Sequence, residues 1–599
     1  MASIRPHGAL QGQPRGRRRR GGLAAAALSV GLVAAACSSS SSPQGTGPSR
    51  AAGTSGGATP SGPTGSGAAA TGGTVVDVLA TVSPGVDLDD VGGATNSPIP
   101  QAYNTLVNNV TSVGDQGVRN IDYASFQPQL AESYTNDGTT YTFKLKHGVM
   151  SCAKHELTAA DVVYTISRIK SVSGPSGASF SALNVANVFD PTLAAKTATT
   201  EMKTLAGEAV AVDQYTVAIK VKADNGLLLN ALASPLVGIV DSVEAKAHAT
   251  PDDPWSHTWM HTHTLGYGPY CLSSFTSGSA ATLDANPGYT VKKPFFQKVQ
   301  MKAIPQSSNR LAALQKGEAQ IAEGLAPAEY AQAASGATTK TLTTFGTLNL
   351  QLSMSYKVAP WGPNGSPQAT KLRQAVAAAI PYDQIIKDAY GGAAKKADNV
   401  IPFTVGGGKS YPDAFVTDPA KASSLLTDAG YPGGKGLPSE GLQLLFPSES
   451  AATLQPVAIR IQTALAAIGM KITLNPIPQA QLASRVFVKS DAPMVLNIGG
   501  SGILDATYYT QLWFLPPSAG GTIGIGGYDD PAVNALYKQA ADKKGDARNT
   551  PIGQAQDIMV KDLPIVPVVL LPLQAAVSKD LTGVQVGGFG MDYAVISKT

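Results

Sequence analysis

The chain has 599 residues, with 45 Lys and Arg against 41 Asp and Glu, so its formal net charge is only +4. Five of the positives sit together at Arg15 and Arg17–Arg20, which leaves the remainder near neutral and removes the basic footprint that nucleic-acid binding needs. The body that follows the amino-terminal segment, roughly 525 residues, exceeds what one hydrophobic core usually supports, so two or more lobes are expected.

The cationic head leads into an uncharged, largely apolar run, Gly21 to Ala36, then Cys37 and five serines, Ser38–Ser42. A positive head, a short apolar stretch and small residues before a cut make a secretory signal. The run is shorter than the about 20 residues of a membrane span. Ala34-Ala35-Ala36-Cys37 resembles the lipobox of bacterial lipoproteins, with Ala34 where an aliphatic residue is usual. The resemblance implies that residues 1–37 are the signal, that Cys37 carries lipid, and that the body lies outside the cytoplasm, anchored to the cell membrane. Arg19-Arg20 is followed by Gly21-Gly22, not a bulky apolar pair, which favours general secretory export over the twin-arginine route. Residues 38–73 are almost wholly Ser, Gly, Thr, Ala and Pro. Such a segment cannot bury enough apolar surface to offset its ordering entropy, and as a flexible tether it reaches roughly 30–36 Å. With Cys37 lipidated, Cys152 and Cys271 remain as an even pair in an oxidising compartment, and a disulfide between them is expected.

Along the body, strand-like and helical runs alternate. Thr74–Ala80 reads as an opening strand. Thr140–Lys146 alternates Tyr141, Phe143 and Leu145 with polar neighbours, which predicts a half-buried strand. Thr158 before Ala159-Ala160-Asp161 is a helix start. Strands are expected from Tyr270, over Ala281–Ala285 and over Phe296–Ile304. Helices are expected at Ser308–Gly317, Lys371–Ile380, Pro419–Ala429 and Pro531–Ala541. Leu442–Phe446, Pro456–Ile468 and Met470–Asn475 form a β-α-β unit, and Val566–Leu573 is a late strand.

Residues 128–168 carry Leu130-Ala131-Glu132-Ser133, Asp137-Gly138, Tyr141-Thr142-Phe143 and Thr158-Ala159-Ala160-Asp161-Val162 in order. This resembles the signature region of the peptide and nickel family of extracellular solute-binding proteins, the receptors of ABC importers. Further elements follow in the family's order: GYGPYCL at 266–272, LDANPGY at 283–289, RLAALQKGEAQIA at 310–322, KLRQAVAAAI at 371–380, DPAKASSLLTDAGYPGG at 418–434 and YDDPAVNALYKQA at 528–540. The resemblance implies an α/β, two-lobed periplasmic-binding-protein-like fold with a hinge and an extra subdomain on the first lobe. It divides the body into 74–344 (lobe I with its subdomain), 345–565 (lobe II) and 566–599 (return to lobe I). It implies a monomeric receptor, without catalysis or cofactor, that captures a small peptide and delivers it to a permease and ATPase complex. A non-peptide solute, such as a metal chelate or amino sugar, and a non-transporting sensor are the alternatives.

In peptide-binding members an aspartate holds the ligand's α-amino group. Aligned on the aromatics of GGSGILDATYYTQLWF, 499–514, Gly502 falls on that aspartate, and a local shift puts Asp505 in the role. Tyr508, Tyr509 and Trp513 would then wall the pocket; the plainer reading makes Asp505 a helix cap and the aromatics lobe core. His257, His261 and His263 suit nickel, zinc or copper by type, but no carboxylate is nearer in sequence than Asp253, and a solvated loop without metal is expected. GGGKS at 406–410 resembles the end of a P-loop, with Phe403 where its first glycine belongs. Gly500-Ser501-Gly502 is short of a nucleophile elbow.

Overall fold

The computed structural model describes residues 72–599 except 90–96, 115–118, 172–208, 222, 403, 502, 522 and 588–589; the signal segment, Cys37 and all of the predicted tether but its last two residues lie outside the described residues. The apolar run TVVDVL forms β1 (Gly72–Leu79), which takes in those two glycines. β2 (Val107–Val113) and β3 (Arg119–Pro128) make an antiparallel pair. β4 (Ala131–Asn136), β5 (Thr140–Leu145), β6 (Ala209–Asp213) and β7 (Thr216–Lys220) make a separate sheet in the order β4-β5-β7-β6. Alternation in β5 buries Tyr141, Phe143 and Leu145 and exposes Lys144. Those side chains meet Val162 and Ile166 of the helix Ala159–Ser171 in one core. Thr158 starts that helix: its backbone N–H and hydroxyl both donate to Asp161 Oδ2, at 2.8 and 2.9 Å, the reciprocal half of a capping box.

Ten further strands join β1 in one large sheet. They are β8 (Tyr270–Thr276), β9 (Ala280–Ala285), β10 (Phe296–Ala303), β11 (Ile321–Glu323), β12 (Thr339–Met354), β13 (Lys395–Lys396), β14 (Gln443–Pro447), β15 (Thr473–Ile477), β16 (Met494–Gly499) and β17 (Ile565–Ser578). The order is β15-β14-β16-β12-β17-β11-β1-β10-β9-β8, with β13 against β17. β12 and β17 run antiparallel through both halves. Thr339–Phe345 pairs with Pro572–Ser578 beside β11, and Asn349–Ser353 pairs with Ile565–Leu570 beside β16. The ladder is broken between Phe345 and Asn349, so two sheet halves meet at a three-residue irregularity, Gly346-Thr347-Leu348.

The β-α-β unit is present, with β14 and β15 parallel, but its boundaries differ from the sequence reading. The helix begins at Ala451, which puts Pro456 inside it; proline's fixed φ is compatible with a helix and it lacks only its own N–H, so Ala451–Gln455 continue the helix backwards. Gly469, at φ +92°, ends the helix of this unit, and a Cβ there would lie 2.2 Å from Gly433 O. Cys152 and Cys271 are joined, S–S 2.07 Å and Cα–Cα 5.6 Å, which fastens the loop after β5 to β8.

Two buried polar clusters brace the first lobe. Arg168 donates to Asp87 Oδ2 at 2.5 Å, to Asp89 Oδ2 at 3.2 Å and to Trp255 O at 3.0 Å, and His257 Nδ1 reaches the same Asp87 oxygen at 2.8 Å. Asp77, fully buried on β1, accepts from Tyr593 Oη at 2.5 Å and lies against the Glu323 carboxyl. Burial pushes Asp77 up to about 6. Burial and the neighbouring Asp77 charge push Glu323 well above the usual carboxylate range. Asp77 Oδ1 receives no N–H or hydroxyl proton among the described residues, and Glu323 is the titratable group beside that carboxyl.

Replacing Arg168 with Met removes the guanidinium that faces two buried carboxylates, a class of change that costs about 3–5 kcal/mol. Urea unfolding should show that loss, and a loss under about 1 kcal/mol would contradict the network's role. For the acid pair the sign follows from linkage. Unfolded Asp and Glu titrate near about 3.9 and 4.3, below their folded values, so the native state holds more protons and stability falls as pH rises from about 4 through about 6. Asp77→Asn should flatten that part of the profile when unfolding midpoints of the two proteins are compared at each pH; parallel profiles would sink the assignment.

Candidate functional site

A cavity of about 300 Å³ lies between the two halves, with Gly346, Thr347 and Leu348 on its wall. That volume is at the lower end of ordinary ligand pockets, about 300–1,000 Å³. The wall from the first half carries polar side chains, with Asn104, Asn108, Asn109, Gln129 and Tyr289 lining it. The wall from the second half is mostly apolar, with Leu454, Leu482, Val486, Ile498, Leu512 and Trp513. Asp592 and Lys292 are the charged side chains among the described lining residues.

Local hydrogen bonds hold these groups in place. Asn104 Nδ2 donates to Tyr289 Oη at 2.5 Å, and its Oδ1 accepts from Thr105 N at 2.8 Å. Gln129 Nε2 also donates to Tyr289 Oη, at 3.3 Å. Burial and the Asp592 charge hold the Tyr289 phenol well above its usual range, so it stays protonated. Trp513 Nε1 donates to Gly500 O at 2.9 Å, which ties the end of the helix Ala506–Trp513 to the end of β16. Thr347 Oγ1 donates to Ser501 O at 3.1 Å, so the irregularity in β12 touches the loop that follows β16. Gly499 permits this packing, because a Cβ there would lie 2.4 Å from Gln351 Nε2.

The sequence-predicted residues are divided by this geometry. Trp513 lines the cavity. Tyr508 and Tyr509 are buried in the second-lobe core, with Tyr509 Oη accepting from Asn349 at 3.4 Å, and neither lines the cavity. Asp505 stands apart from the expected amino-binding role. Its Oδ1 accepts from Thr507 N at 2.8 Å and Tyr508 N at 3.4 Å, and its Oδ2 meets Arg548 at 2.8 Å. The carboxylate thus caps a helix N-terminus and pairs with a cation. Gly502 lies outside the described residues.

The competing motifs go elsewhere. His257 bonds Asp87, while His263 and His248 stack on the two faces of Trp259 at 4.0 and 3.9 Å. In GGGKS, Gly406 N donates to Leu504 O at 3.1 Å and Lys409 pairs with Asp557 at 2.5 Å. The Ser501 hydroxyl donates to Ile503 O at 2.6 Å. Sequence reading missed Asp592, Lys292 and the Asn104–Gln129–Tyr289 group; each sits in an ordinary polar context, and only the fold brings them together.

Comparison with known proteins agrees with this architecture. The model of the bacterial extracellular solute-binding proteins, family 5 (middle region), matches residues 125–521. A glutathione-binding protein GsiB of Shigella dysenteriae is 27% identical over 500 residues, covering 80% of this chain and 88% of the relative. Among solved structures, the periplasmic binding protein DppA of Helicobacter pylori in complex with the peptide STSA superposes with a TM-score of 0.69 at 22% identity, over 88% of this chain and 98% of its own. AgaA of A. tumefaciens R10 in complex with agropinic acid gives 0.66 at 22%, over 88% and 99%. A family match over more than half the chain, on a two-lobed fold with its cavity between the lobes, makes this chain a member of the bacterial extracellular solute-binding proteins, family 5, the binding components of ABC importers.

Proposed function

We propose that the protein captures short peptides in the interlobe cavity and delivers them to an ABC permease, while a lipid on Cys37 holds it at the outer face of the cell membrane. The observation that carries this reading is the division of the cavity wall. Amide and hydroxyl side chains from the first lobe face apolar side chains and Trp513 from the second. A peptide presents both kinds of surface: a polar main chain and side chains that prefer an apolar wall. The relatives support the same class, since one is named for glutathione and another holds a peptide. The break in the β12–β17 ladder is the hinge in this reading, and a ligand that touches both walls binds the closed form better than the open one.

A non-peptide solute is the second reading. It is favoured by the contacts of Asp505 with Arg548 and with its own helix N-terminus, which compete with an amine for that carboxylate. Native mass spectrometry of protein purified from its own cells separates the two. A ladder of bound masses that fits short peptides is expected. One discrete mass that is not a peptide would establish the second reading in its place.

A further inference from the structure

Two segments from opposite lobes meet beside the cavity. From the first lobe comes the turn Asp224-Asn225-Gly226, which follows β7. Strands β4 and β5 hold it: Asn136 Nδ2 donates to Asp224 Oδ2 at 2.9 Å, and Tyr141 Oη donates to Asp224 Oδ1 at 2.7 Å. Asn225 is buried, its Oδ1 accepts from Leu227 N at 3.1 Å, and Gly226 turns the chain at φ +74°. The helix that follows, Leu228–Leu232, puts Asn230 on the cavity wall. From the second lobe come residues 541–548, which join the helix Pro531–Ala540 to the first turn of the helix Asp546–Asp562.

Three contacts cross from one segment to the other. Asn225 Nδ2 donates to Ala541 O at 3.1 Å, Arg548 Nη1 donates to Asn225 O at 2.5 Å, and Lys544 Nζ pairs with Asp224 Oδ2 at 2.5 Å. They differ in weight. The Lys544 side chain is 64% exposed, and an ion pair in that setting is worth little. The Arg548 side chain is 13% exposed, and the carbonyl it meets belongs to a buried residue; a charged donor on such an acceptor makes one of the stronger hydrogen bonds. The guanidinium is also aimed in advance. Its Nη2 pairs with Asp505 Oδ2 at 2.8 Å, and Asp505 caps the helix Ala506–Trp513. One arm of the planar fork is thus anchored in the second lobe while the other reaches the first. Leu504, next to Asp505, lines the cavity, whereas neither Arg548 nor Asn225 does.

We propose that Arg548 is an interlobe latch, a positioning residue that holds the closed form together through Asn225 from outside the cavity. The proposal rests on the closure reading above and adds what sets the balance between open and closed. Part of the protein is then closed before a ligand arrives, and the apparent affinity for any ligand scales with that fraction. Asp505 gains a role of its own, since it orients the guanidinium that crosses the gap. Loss of the latch weakens every ligand alike, whereas loss of a wall residue changes which ligand is preferred.

The test uses the full-length chain in a Cys37→Ser background, spin-labelled at Lys144→Cys on β5 and Lys538→Cys on the helix Pro531–Ala540, both exposed. Electron–electron distances are measured on protein stripped of ligand and on protein carrying the molecule it holds from its own cells. The stripped wild type should contain a short-distance population at the distance of the loaded protein. Arg548→Gln should cut the ratio of short to long distances about tenfold or more. Asp505→Asn, which keeps an acceptor for Thr507 N, should cut it in the same direction, and Lys544→Gln should change it by less than about fivefold. A merely structural role for Arg548 would lower the melting temperature and leave the ratio alone. If the stripped wild type lacks the short population, or if stripped Arg548→Gln keeps the wild-type ratio, the latch is overturned, and the closure reading stands as long as the wild-type distances shorten on loading. One unchanged distribution in every state overturns both. Should Arg548→Gln fail to fold, the ratio in Asp505→Asn decides.

Discussion

The antiparallel pairing of β12 with β17 is the constraint on which the rest of this structure depends. These two strands run through both halves of the large sheet, and their hydrogen bonds stop between Phe345 and Asn349. A continuous ladder would make one stiff sheet, with its two halves in a fixed relation. The break leaves Gly346, Thr347 and Leu348 outside the ladder at the point where the two lobes face each other, and all three line the cavity. The same feature thus separates the lobes and forms part of the surface between them. The loop after β16 is tied to it through Thr347 and Ser501, so the ladder break and the cavity wall are in direct contact.

Each wall draws its rigidity from a different source. The first-lobe wall is held by buried polar bonds: Asn104 and Gln129 on Tyr289, Gln101 on the backbone around Asp592, and Tyr593 on Asp77. Buried polar groups have few ways to be satisfied, so these contacts specify one arrangement. The second-lobe wall is held by packing, with Tyr508, Tyr509 and Phe514 in the core behind Trp513. The disulfide Cys152–Cys271 lies away from both walls and braces the first lobe instead.

Much of the fold is legible in the sequence because its local signals are strong. The alternation in Thr140–Leu145 and the Thr158–Asp161 start are short-range patterns, and the structure obeys them. The helix around Pro456 shows where such signals mislead, since the residues before a proline, here Ala451–Gln455, can still be helical. β12 is hard to read because Gly346 interrupts its pattern at the very place where the ladder breaks. The site is less legible for a physical reason. Asp505 carries a motif-like context, yet a helix N-terminus and Arg548 claim it. Asp592 carries none, and its place follows from contacts with Gln101 and Asp77, nearly the whole length of the body away in sequence.

The central claim is that the lobes close on a ligand by bending at the β12–β17 break. Spin labels at Lys316→Cys on the first lobe and Lys471→Cys on the second, in a Cys37→Ser background, report that motion directly, because both sites are exposed and the native cysteines are joined. Electron–electron distance measurements should give a shorter and narrower distribution for protein carrying the molecule it holds from its own cells than for the stripped protein. The same distribution in both states would contradict closure and leave the cavity as a fixed site between rigid halves.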